Sequence, residues 1–207
     1  MVGNVPQQHT VIEVAPARIW LHDLREMLAW YEKNLCEPEF LDPRGHRVQV
    51  TPERFPHCIQ LLQKNSTFEV NNPQKHVLAI KEGTASNEDF GGYDTERAQT
   101  LGWIPYVIQR PSRILELITQ PLIGKKKAGD TLYIKRFCNT KSSPRYKRLV
   151  CRRVGPQLLL IITCHPDDHD NYSPKLYRQV YPEPNGKGRS MRPFCPLIIP
   201  RGCGESR

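Results

Sequence analysis

Several familiar chemistries have no footing in this 207-residue chain. No glycine-rich phosphate loop follows a strand-like run, and no Gly-x-Ser-x-Gly elbow occurs, so the common nucleotide-binding and serine-hydrolase patterns are excluded. The longest apolar run, Leu158 to Ile162, is far too short to span a bilayer. No charged-then-apolar leader opens the sequence, which places the expected compartment in the cytoplasm, with no membrane partner. The seven cysteines are odd in number and irregularly spaced, and Cys36, Cys58, Cys138, Cys151 and Cys164 sit in apolar or strand-like runs. Reduced, buried thiols suit that pattern better than a secreted disulfide framework. Acidic charge is also scarce where it would matter. Between Gly124 and Arg153 eleven Lys and Arg side chains are opposed by Asp130 alone.

What is present is basic. The formal charge is +9, and hydrophobic residues make up 38%, enough for a real core. A positive lobe favours polyanionic partners, because each cation placed near a phosphate releases condensed counterions. Nineteen prolines, crowded toward the last third, read as a tail more readily than as a second packed domain.

Periodicity divides the chain into residues 1–16 as an arm, 17–166 as a folded domain and 167–207 as a Pro/Arg-rich tail. Ile19, Trp20, Leu24, Leu28 and Tyr31 recur at helical spacing over Pro16–Asn34. Asp42-Pro43-Arg44-Gly45 is a turn before a short strand at Arg47–Val50. Thr51 and Pro52 mark the N-cap and first position of a helix running to about Gln63. Gly83 to Tyr93 reads as a lid-like loop, and a helix from near Thr95 carries Leu101, Trp103, Ile104, Val107 and Ile108 up to Pro111. The period then changes to two, predicting strands at Arg113–Ile118, Thr131–Cys138, Tyr146–Val154 and Gln157–Cys164. Helices first and a meander afterwards predict an α+β fold, with N-terminal helices packed on a four-stranded antiparallel sheet.

Candidate chemistry follows from residue types. On the last strand, strict alternation puts Thr163 and His165 on one face with Leu159 and Ile161, at the end of an apolar run. His57 lies in the helix after the first strand. Cleavage of RNA through its own 2′-hydroxyl needs a base, an acid and cations around the phosphorane, and His57, Arg97, Tyr133, Lys135, Thr163 and His165 together would supply them. His165 and His169 are four apart, but Pro166 between them argues against a helical metal pair, so no metal and no cofactor is expected.

These residues also carry a resemblance. Leu41-Asp42-Pro43-Arg44-Gly45-His46-Arg47-Val48, followed by Val50-Thr51-Pro52-Glu53-Arg54-Phe55-Pro56-His57, resembles the opening of phage-associated nucleases of the barnase, EndoU, colicin and RelE-like superfamily. Tyr133-Ile134-Lys135-Arg136 and Leu160-Ile161-Ile162-Thr163-Cys164-His165-Pro166 continue the likeness, which covers about residues 17–166. It implies a metal-independent endoribonuclease leaving a 2′,3′-cyclic phosphate, serving as a toxin or conflict effector, with an immunity or antitoxin protein as a further partner. Under it His57 matches the helix histidine, Lys135 the strand cation, Thr163 the terminal hydroxyl and Arg97 a second cation. His165 would make the second proton transfer, and Tyr133, Arg136 and Arg148 would contact the substrate. The long segment from Lys64 to Thr95 and the tail after Asp170 depart from the family pattern. Two other readings stand beside it: a non-catalytic RNA-binding or partner-binding module on the same scaffold, and a metal-dependent hydrolase centred on His165 and His169.

Overall fold

The computed structural model describes residues 13–63, 72–85, 90–118, 129–139, 142–167 and 172–182. The expected four-stranded antiparallel sheet carrying helices is not what forms. An eight-stranded mixed sheet dominates, curled into a half-barrel, and the helices are few and short. Its strands are β1 (Glu13–Val14), β2 (Phe40–Leu41), β3 (Arg47–Gln49), β6 (Arg113–Leu117), β7 (Thr131–Asn139), β8 (Ser142–Arg153), β9 (Leu158–Asp167) and β10 (Tyr177–Tyr181). A separate two-stranded ribbon joins β4 (Leu62–Gln63) to β5 (Phe90–Gly92). The order across the main sheet is β10-β6-β7-β8-β9-β3-β2, with β1 pairing to β7.

Two pairings that alternation cannot reveal make the sheet mixed. β3 lies parallel to β9, with Val48 opposite Leu159, and β1 lies parallel to β7, with Glu13 opposite Phe137. Both join segments more than a hundred residues apart, and neither has a turn to announce it. β10 forms within the segment expected to be tail and pairs antiparallel with β6, so the sheet runs on beyond Pro166. Residues 183–207, and the lysines at 125–127, lie outside the described residues.

The helices are α1 (Leu24–Tyr31), α2 (Phe55–Cys58), α3 (Pro73–Glu82), α4 (Thr95–Gln99) and α5 (Ile104–Gln109). α1 begins later than its apolar period suggested, because Asp23 caps it by accepting from the backbone N–H groups of Arg25 and Glu26. Thr51 and Pro52 open a single 3-10 turn, and α2 stops after four residues, where Gln60 takes a positive φ of 54°. α3 starts at Asn72 and Pro73 and ends where Gly83 turns left-handed, a start signal and a stop signal that bracket Val77 and Ile80. The loop expected at Gly83–Tyr93 contains β5.

The concave side of the sheet holds the main core, in which Tyr31, Phe55, Trp103, Tyr133 and Phe137 pack with the aliphatic side chains of α1, α3 and α5. A smaller cluster of Leu115, Leu132, Ile134 and Val150 lies on the other side, with Tyr172 and Tyr177 against it. Successive residues of β7 supply the two clusters in turn, which is the strand period expressed as two layers.

One buried clasp holds the curl. Tyr133 stands in the middle of β7, and Asp42 stands just beyond β2 at the far end of the sheet. The Tyr133 hydroxyl nevertheless donates to Asp42 Oδ2 at 2.7 Å, and Arg44 donates to both Asp42 Oδ2 at 2.9 Å and the Tyr133 oxygen at 3.2 Å. The same carboxylate accepts the backbone N–H groups of Arg44 and His46 at 2.8 Å, while Gly45, at φ 83°, lets the chain reverse. Burial pushes the Asp42 carboxyl up, but the Tyr133 bond, the Arg44 cation and the His46 amide outweigh it and hold the group below the usual range. A depressed carboxylate contributes stability that is present above its unfolded value and is lost as pH falls through its folded value. Tyr133→Phe is therefore expected to cost about 1.5–3 kcal/mol at neutral pH. Asp42→Asn should flatten the acid limb of stability against pH, which denaturant titrations from neutral to acid pH would measure.

Candidate functional site

The side chains proposed from the sequence divide between the two faces of the sheet. Lys135 stands opposite Lys147 on β8, and both face the concave interior, with Lys135 5% exposed and Lys147 fully buried. Around Lys147 a polar cluster sits inside the core. Its Nζ donates to Thr100 Oγ1 at 2.7 Å, and that hydroxyl donates in turn to the Glu96 carbonyl at 2.7 Å. Arg97 on α4 approaches from the same side, its Nε 3.3 Å from Asp94 Oδ2. Burial pulls the lysine below its ordinary value, against the opposing pull of the Cys164 and Cys58 thiols.

His57 lies half-buried on α2. Thr163 donates to its carbonyl oxygen across 3.5 Å, so the strand hydroxyl and the helix histidine do come together, although through the backbone of His57. A register shift between Val150 and Cys151 breaks the alternation of β9. Leu159, Ile161 and Cys164, rather than Leu159, Ile161 and Thr163, therefore share the concave core. Tyr133, expected at a substrate, is buried in the clasp.

The convex face gathers a different set. Arg113 on β6, Ile134 on β7, Arg148 on β8 and His165 on β9 lie in one row across four strands, each opposite the next. With strands about 4.8 Å apart, the two arginines of the row stand about 10 Å from each other. Arg136 follows two residues along β7 from Ile134 and is exposed. Arg148 is held from two sides: one Nη lies 2.9 Å from His165 Nδ1, the other donates to the Tyr172 hydroxyl at 3.0 Å, and the guanidinium sits 5.8 Å from the Tyr172 ring centre. Tyr172 packs edge-on against Tyr177, with centroids 5.5 Å apart. Asp130 takes Arg152 through two bonds of 3.0 and 3.1 Å, and Glu116 takes Arg178 at 2.6 Å.

The Arg148–His165 contact decides what this histidine can do. Guanidinium has donors and no acceptor, so Nδ1 of His165 must be the acceptor. The neutral ring then carries its proton on Nε2. With Nδ1 so engaged, the neutral ring has no open lone pair with which to take a proton from a 2′-hydroxyl.

No protein-family model, curated protein or solved structure matches the chain. The likeness to ribonucleases therefore rests on the short motifs alone. Among the described residues no group of three His, Cys, Asp or Glu side chains could hold a metal ion, and no helix is long and apolar enough to cross a membrane.

Sequence reasoning missed Lys147 and Tyr172 as members of these clusters. The pairing of Lys135 with Lys147 needed the register of β7 and β8, and Tyr172 needed the return of the chain beyond Pro166. Lys147 is desolvated with a neutral hydroxyl and a thiol for company, so an apolar side chain of similar length should fit better. Lys147→Met is expected to raise stability by about 1 kcal/mol or more. Because a lysine with a lowered value costs stability wherever its unfolded form is charged, that gain should shrink as pH rises toward the ordinary lysine range. Denaturant midpoints at neutral and alkaline pH would show both effects.

Proposed function

We propose that this protein binds RNA through the convex face of its sheet, using the row Arg113, Arg148 and His165 together with Arg136. The observation that carries this reading is the anchoring of Arg148 between His165 and Tyr172. A guanidinium whose side chain is already ordered loses little freedom when it meets a phosphate, and its planar fork matches phosphoryl oxygens. The formal charge of +9 supports a polyanionic partner, since counterion release rewards every cation so placed. A sheet face with tyrosines beside its arginines suits an extended strand, for which stacking and backbone contact are the available modes.

The alternative, cleavage by 2′-hydroxyl attack, has one favourable observation: Thr163 and His165 lie on the same strand end as the arginine row. It lacks a base there, because Nδ1 of His165 is occupied by Arg148. Lys135, expected as the phosphate-gripping cation, faces the core. Binding without cleavage is the reading the geometry supports best.

The test is the affinity of a labelled single-stranded RNA measured at several salt concentrations. Arg148→Ala and Arg136→Ala should each weaken binding across all sequences, and each should lower the slope of log affinity against log salt by about one unit. Unchanged affinity in both variants would remove the convex face from consideration. The same RNA incubated with the protein in EDTA should remain intact. Appearance of 2′,3′-cyclic phosphate ends, lost in His57→Ala, would return the protein to the ribonuclease reading.

A further inference from the structure

Beside the arginine row, the convex face carries an apolar strip that phosphate binding does not use. On β9, Leu159 and Ile161 enter the main core, so strand alternation turns Leu158 and Leu160 to the other side. Leu160 stands opposite Arg152 on β8, which follows Arg148 and Val150 at steps of two and shares their face. Ile162 comes next, at the register shift. All three aliphatic side chains are half-buried, and none belongs to either apolar cluster of the described residues. Val154 extends the strip at the turn between β8 and β9; it is 53% exposed, and its backbone N–H donates to the Leu158 carbonyl. Gln49, opposite Leu160 on β3, is exposed beside it.

Contiguous aliphatic surface in water marks a contact site, and cations on the same face select a ligand with an anionic part as well. A nucleic-acid strand has both, with phosphates for the guanidinium groups and base faces for apolar contact. We propose that the bases of a single strand lie on Leu158, Leu160 and Ile162 while its phosphates are held at Arg148. The role of the strip rests on the RNA reading above and narrows its ligand to unpaired strand.

Spacing supports this class. Ile162 is three residues from His165, roughly 10 Å along the strand, so a chain whose phosphate lies on Arg148 can lay its following bases on the strip. Leu158 and Leu160 are two residues apart, roughly 6.7 Å, about twice the 3.4 Å rise of a stacked strand. Bases seated on the two leucines are therefore unstacked from each other. A duplex keeps its base faces inside the stack and offers the strip only sugar and phosphate. The Gln49 amide, with donors and an acceptor, can meet the edge of a base over Leu160.

The experiment compares three ligands of equal length on the full chain: a labelled single-stranded RNA, the same strand annealed to its complement, and an abasic strand with the same phosphates. The base-bearing single strand is expected to bind at least about tenfold tighter than the abasic one, and tighter than the duplex. Leu160→Ser should weaken the base-bearing strand about fivefold, leave the abasic strand unchanged, and keep the slope of log affinity against log salt. Equal affinity for base-bearing and abasic strands, or a duplex bound as tightly as the single strand, would overturn the strip. So would a Leu160→Ser variant that weakens both strands alike. Loss of self-association in that variant, with no dependence on bases, would make the strip a protein contact instead. Should Leu160→Ser fail to fold, the abasic comparison on the unaltered protein decides alone. The underlying reading fails separately: an unchanged salt slope in Arg148→Ala removes the RNA surface, whereas a lowered slope without base dependence keeps that surface and removes the strip.

Discussion

The clasp between Asp42, Arg44 and Tyr133 decides the shape of the molecule. On a flat sheet the turn after β2 would lie several strands away from the centre of β7, beyond the reach of a tyrosine. The 2.7 Å bond from Tyr133 to Asp42 is possible only because the sheet curls until its far end faces its middle. In return the clasp satisfies a buried carboxylate with two charge-assisted side-chain bonds and two backbone amides, leaving no reason for the curl to relax.

Curling gives the sheet an inside and an outside with different chemistry. Inside, short helices fill the concavity, and two lysines from paired positions on β7 and β8 are trapped with them. Lys147 is supported there by the Thr100 hydroxyl. Outside, the same strands present Arg148 and His165, and Tyr172 returns to brace them. A single strand, β8, thus contributes Lys147 to the core and Arg148 to the proposed RNA surface through the period of two.

This division bears on the choice between cutting and holding RNA. Acid–base cleavage needs a base, a cation and an acid around one phosphodiester. Here the cation Lys135 belongs to the inner layer and the histidine of β9 to the outer one, where an arginine already uses its free lone pair. A face that orders its guanidinium before any ligand arrives is suited to recognition.

The local pattern of the chain determined a good deal of this. The β6, β7, β8 and β9 strands lie close to where alternation put them, the Asp42–Gly45 turn is a turn, and the caps at Asp23 and Asn72 show why helices begin there. The surplus of positive charge is a property of the sequence itself, but where each cation goes is not: Lys135 and Lys147 are buried in the core. The α+β expectation failed because strand count and pairing are not local: β3 meets β9 and β1 meets β7 in parallel across long separations, and β10 arises in what reads as tail. Which face Lys135, Thr163 and His165 would take was likewise left to tertiary structure. One residue of register shift in β9 reassigns every side chain beyond it, and the curl of the sheet decides which of the two faces becomes the interior.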